Sequence, residues 1–140
     1  MNGPFANYLF EEEPAGTFSQ GQIFMLEPDL TGPRQDPSVG YWRCDIAHQN
    51  KLTWSDKVYE LFGAPKGEPV ERDWALTRYS EPSRNALENI RPYALSHKCG
   101  FILDAAIKRE GADDQWIRVM AYPIVVKGEV VGLHGLKRAL

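Results

Sequence analysis

The stretch from Gly100 to Lys137 constrains the fold most. It reads as three strands separated by turns too short for the crossover that parallel pairing requires. In "GFILDAAIKR", Phe101, Leu103, Ala105 and Ile107 alternate against a face carrying Asp104 and Lys108. "EGADD" has the Gly and aspartates of a turn. "QWIRVMAYPIVV" is rich in β-branched and aromatic residues, "KGE" is a tight turn, and "VVGLHGLK" is a last strand. An earlier hairpin is expected from "YWRCDI", which sets Trp42, Cys44 and Ile46 on one face and Arg43 and Asp45 on the other. It closes through "AHQNK" onto Leu52–Trp54.

Helices fill the interval between the two strand groups. In "LTWSDKVYELFG", Ser55 and Asp56 are helix starters, Val58, Leu61 and Phe62 form one apolar stripe, and Gly63 suits a left-handed end. A helix of barely two turns is not stable alone in water, so it must be clamped against the sheet. A helical turn carrying Trp74 is predicted around Asp73–Tyr79. "SEPSRNALENI" opens a longer helix, capped by Ser80 or Glu81, with Pro82 in the first position. Its apolar positions are Leu87, Ile90 and Ala94, and Pro92 is expected to kink or restart it. The order β-β-α-α-α-β-β-β implies an α+β domain, a five-stranded antiparallel sheet with helices over one face.

Residues 1–37 read as an N-terminal extension to a domain spanning 38–140. Five of the ten prolines fall there, with the acidic run Glu11–Glu13, which argues for irregular chain. Its apolar island, Ile23, Phe24, Met25 and Leu26, is too greasy to stay in water. With Phe18 these residues are expected to pack on the domain or on a second copy, making a homodimer.

A chain of 140 residues has room for one such domain. Its net charge of −3 and lack of a dense Lys/Arg run argue against nucleic-acid binding. No apolar stretch reaches the roughly 18 residues of a membrane span, and the N-terminus lacks the pattern of a secretion signal. A cytoplasmic location follows as the expectation. Cys44 and Cys99 match no metal or redox spacing and read as reduced thiols, a disulfide between them being the alternative.

From about Ser38 to Leu136 these words, in this order, resemble a PAS domain. The resemblance is to the branch with Gly-x-Trp in its first strand, here Gly40 and Trp42, followed by "TWSD", a "YELFG" helix, and a Trp opening the penultimate strand, here Trp116. It implies a five-stranded sheet and helices enclosing an interior that holds a small ligand in some members. Two departures stand out. Asp104 lacks the Arg usual two positions on, where Ala106 stands. The chain runs "GLKRAL" where such sensors usually read Asp-Ile-Thr and lead into an output domain. The resemblance thus implies a stand-alone sensory or protein-interaction module of signal transduction, acting through a non-covalent signalling partner.

The chemistry-bearing residues point the same way. His97 lies near the long helix's end, His48 in a turn and His134 in a strand, with no Cys or carboxylate set around them for a metal. The Asn-Cys-Arg-Phe-Leu-Gln motif of flavin-type light sensors is absent, as are nucleophile-elbow, Walker and dinucleotide motifs. No catalytic residue, enzyme activity or cofactor is therefore expected. Trp42, Trp54, Phe62, Trp74, Phe101, Trp116 and Tyr122 are core fillers first. Should they leave a pocket, Trp42, Cys44, Leu61, Leu87, Leu103 and Tyr122 are the candidate lining. A receptor for a small aromatic or haem-like ligand is then the alternative function, and a small α+β-pocket enzyme the second.

Overall fold

One antiparallel sheet organises the chain. The structure is a computed structural model and describes residues 20–140. Its elements run β1 (Gly21–Phe24), α1 (Thr31–Arg34), β2 (Val39–Asp45), a 3-10 turn (Ile46–His48), β3 (Lys51–Trp54), α2 (Asp56–Phe62), α3 (Arg72–Thr77), α4 (Glu81–His97), β4 (Gly100–Ile107), β5 (Gln115–Val126) and β6 (Glu129–Ala139). The six strands lie in the order β1-β4-β5-β6-β2-β3. The β-branched run of β5 and the last strand β6 become the centre of this sheet. The β5–β6 turn places Lys127 and Gly128 both at positive φ, the geometry whose twist suits a two-residue hairpin loop.

The sheet has one strand more than expected, and the extension supplies it. β1 pairs with the first half of β4, Gly21 opposite Leu103 and Phe24 opposite Gly100. The second half of the β4 edge is covered by the chain entering α4: Tyr79 bridges Ile107, and the Ser80 amide donates to the Ala106 carbonyl. Together they leave little of β4 open to pairing with another chain.

The apolar island divides at β1's end. Ile23 joins the main core between sheet and helices, while Phe24 joins a smaller cluster on the opposite face with Leu30, Ile102, Met120 and Leu136. Met25 and Leu26 remain exposed, and Phe18 lies outside the described residues.

The short helix α2 is clamped as its length demands. Val58 and Phe62 are buried, with Leu61 packed at the margin of the main core. The Ser55 hydroxyl makes no cap bond to its own helix. It accepts instead from the Tyr41 amide of β2 at 2.8 Å, tying the helix start to the sheet. Gly63 ends the helix at φ 68°, its amide donating to Glu60 O and that of Ala64 to Tyr59 O.

The helix does not restart at Pro92: α4 runs unbroken from Glu81 to His97. Pro92 is exposed, so the Glu88 carbonyl that loses its partner faces the solvent side, while Ile90 and Ala94 hold the other side to the core. Ser83, buried on the inner side, accepts the Ala106 amide at 2.8 Å and pins α4 to β4.

Candidate functional site

The main core is not completely filled. Between the inner face of the sheet and helices α3 and α4 lies a cavity of about 60 Å³. Trp42 and Cys44 of β2, Leu52 and Trp54 of β3, Phe101 of β4, Val119 of β5 and Leu133 and Lys137 of β6 form its sheet side. Arg72, Ala75 and Leu76 of α3, then Tyr79, and Leu87 and Arg91 of α4, form the helical side. At ~10–15 Å³ per water-sized guest, it has room for about four to six non-hydrogen atoms.

Lys137 is the unusual member of this lining. Side chains alternate along a strand, so Lys137 shares the inward parity of Leu133, while Leu136 faces the second cluster. Strand register places it between Gly40 and Val119, in the middle of the sheet. It is 8% exposed. Its Nζ stands 4.9 Å from the centre of the Phe62 ring, 5.0 Å from Trp42 and 5.7 Å from Trp54. Among the described residues no carboxylate pairs with it. Ring faces offset burial of an ammonium by ~2 kcal/mol, less than the several kcal/mol that losing water costs. Desolvation accordingly pushes the amine down to about 7, with the nearby Arg72 guanidinium acting in the same direction.

Two further cations line the cavity, and both have partners. Arg72 donates to Glu88 at 2.6 Å. Arg91 donates to Asn50 Oδ1 at 3.1 Å and approaches the Cys44 sulfur at 3.9 Å. Burial, and then Arg72, lower the affinity of Arg91 for its proton. Trp54 Nε1 is buried without an acceptor, which costs ~1–3 kcal/mol for a neutral donor. The Tyr79 hydroxyl is held above its ordinary pKa by burial. No Asp or Glu is among the lining residues.

A surface groove of about 600 Å³ runs between the β2–β3 turn and the segment from Gly67 to Asp73. Leu52 and Arg72 line both groove and cavity, so they form the partition between them. The ion pair to Glu88 holds Arg72 in that partition.

Of the residues expected to line a pocket, Trp42, Cys44 and Leu87 border the cavity. Leu103 is fully buried in the main core elsewhere, and Leu61 packs at that core's margin. Tyr122 lies on the other face, stacked 6.0 Å from Phe24. The ambiguous β5 is resolved by parity: Ile117, Val119 and Ala121 point inward, and Met120 and Tyr122 outward. Trp116 and Trp74 are exposed rather than cavity walls. Sequence reasoning missed Arg72, Arg91, Tyr79 and Lys137. Counting by twos back from Lys137 to Leu133 would have found the last.

The remaining reactive groups are accounted for locally. Tyr93 O and Ser96 lie within hydrogen-bond distance of His97 Nδ1, and its ring stacks on Tyr93 at the α4 terminus. His48 contacts Asp45 at the surface, and His134 Nδ1 meets the Tyr41 hydroxyl at 3.0 Å. Burial lowers the His134 pKa. Cys44 and Cys99 are buried and free, with desolvation pushing Cys99 up to about 11. Among the described residues no group of three His, Cys, Asp or Glu could hold a metal, and no helix is long and apolar enough to cross a membrane.

The overall fold recurs in solved structures. An RNA-binding light-oxygen-voltage receptor matches with a TM-score of 0.65 at 15% identity, over 74% of this chain and 29% of that one. The N-terminal domain of a diguanylate cyclase with PAS/PAC sensor from Marinobacter aquaeolei matches with a TM-score of 0.64 at 16% identity, over 72% and 94%. This chain has a PAS fold. A domain of a protein described as a light and redox sensing histidine kinase from Haloarcula marismortui matches as well, with a TM-score of 0.65 at 13% identity, over 76% and 93%. No family model matches the sequence, and no curated protein does. In this chain β1 forms the sheet edge beside β4.

Proposed function

We propose that this PAS-fold chain is a sensory module of signal transduction whose input is a small molecule held in the Lys137 cavity. It catalyses no reaction and passes its state to a signalling protein by contact. One observation carries the reading: among the described residues, a buried amine without a carboxylate partner borders a cavity between the sheet and the helices. A core selected only for stability gains little from such a group, because an apolar side chain of equal volume removes the desolvation cost. Sensor domains among the structural neighbours support the same class of role.

The test is mass spectrometry of small molecules released from natively purified protein, compared with an Ala75→Leu variant whose larger side chain fills the cavity. A molecule released by the parent and absent from the variant is expected. Identical small-molecule profiles from the two would contradict the reading.

Contact output would be served by the exposed pair Met25 and Leu26 at the end of β1, in a homodimer or with another protein. Light scattering of the double variant Met25→Ser and Leu26→Ser separates the two. A shift to monomer supports self-association, and an unchanged mass rules that surface out as the dimer contact.

A further inference from the structure

Resting on the sensory reading above, we propose that the cavity's ligand is a short-chain monocarboxylate whose carboxylate pairs with the Lys137 amine and whose alkyl chain lies on the aromatic walls. Four observations converge on this chemistry. First, charge in the lining is of one sign: Lys137, Arg72 and Arg91 are present and no acid is. Second, among the described residues Arg72 pairs with Glu88 and Arg91 with Asn50, whereas Lys137 meets ring faces and no anion. Third, Trp54 Nε1 is a buried donor lacking an acceptor, which a carboxylate oxygen would supply. Fourth, the volume of about 60 Å³ suits a guest the size of propionate or butyrate, and the walls are otherwise apolar.

A cationic ligand is disfavoured by the same lining, because the place over the ring faces is already taken by Lys137 itself. A neutral ligand would leave the amine unpaired. The groups that bear on Lys137 from the packed elements are Cys44 on β2 and Arg72 on α3, with Tyr79 and Arg91 bordering the same cavity. Because the anion favours the charged amine, binding draws a proton from solution near neutrality.

Isothermal titration calorimetry of the full chain at pH 7 tests this with butyrate and with butyramide, which has the same number of non-hydrogen atoms but no charge. Butyrate is expected to bind at least tenfold more tightly. Its heat should differ between phosphate and Tris buffers, as proton uptake requires. Lys137→Met and Lys137→Gln, each checked for a native circular dichroism spectrum, should lower butyrate affinity at least tenfold. Equal binding of butyrate and butyramide would overturn the carboxylate assignment while leaving the cavity a ligand site. Undiminished butyrate binding by both variants would also overturn it. Absence of binding by either compound overturns it too, and the released-molecule experiment then decides separately whether the sensory reading survives.

Discussion

Lys137 Nζ lies 5.0 Å from the centre of the Trp42 ring, and Trp42 in turn donates its indole N–H to the Met120 carbonyl at 3.2 Å. The two residues sit on neighbouring strands, and the β6 residue directly opposite Trp42 is Gly135. The indole thus crosses a position without a side chain to reach β5, and its face becomes the floor for the amine.

Burial of Lys137 gives stability a pH dependence of defined sign. The folded amine titrates near 7 against 10.5 ordinarily, so between these values the unfolded chain binds the proton and the folded chain does not. Stability must therefore rise with pH across that interval. Above pH 9 the raised Cys99 and Tyr79 act oppositely, because the unfolded chain loses protons that the folded chain keeps. The clean window is pH 7 to 9, with a gain on the order of 2 kcal/mol. Urea denaturation at pH 7, 8 and 9 should show this rise in the parent and a much flatter profile in Lys137→Met. Parallel profiles would contradict it.

Gly135 should tolerate no side chain. A Cβ there would overlap the Met120 carbonyl, the acceptor of the Trp42 indole. Gly135→Ala is expected to cost at least ~3 kcal/mol, by overpacking and loss of the buried hydrogen bond together. Near-ultraviolet circular dichroism reports the accompanying change around Trp42. A variant of parental stability would show that the strands can spread at no cost.

β1 is part of the fold's core through Ile23, which is 4% exposed. Ile23→Ala should destabilise by about 2–4 kcal/mol. The association state should not change, because that side chain is spent inside its own chain. Chemical denaturation and light scattering check the two halves. Intact stability with altered mass would return the residue to the role of an external arm.

Arg118 and Asp104 form a bidentate pair directly across β4 and β5, at 2.8 and 3.0 Å. The hydrogen bonds to Asp104 raise the Arg118 pKa. Both side chains are partly solvated, so a double-mutant cycle should give a coupling of only ~0.5–1 kcal/mol. A coupling indistinguishable from zero would mean that solvent competes the pair away.

Much of the fold was legible because period and punctuation agree locally. Alternation in "GFILDAAI" and the Lys127–Gly128 turn specify neighbouring antiparallel strands without any long-range information. The partner of β1 was not legible, since an apolar island reads the same whether it docks on its own sheet or on another copy. Asp104 shows a related limit. The position two residues on in its own strand holds Ala106, whereas the register supplies Arg118 from the next strand. The cavity was legible only in part. Trp42, Cys44 and Leu87 follow from parity and helix spacing, but α3 contributes Arg72 by tertiary packing that no local pattern encodes. Lys137 was overlooked because lysine is almost never buried, even though its parity in β6 matches that of Leu133.

The most direct test is an NMR titration of the lysine 13Cε resonances, with Lys137→Met identifying the Lys137 signal. One lysine titrating near pH 7 in the parent, and moving upward when butyrate is added, is the expected result. A Lys137 signal that titrates near 10.5 already without butyrate would contradict a buried amine awaiting an anion.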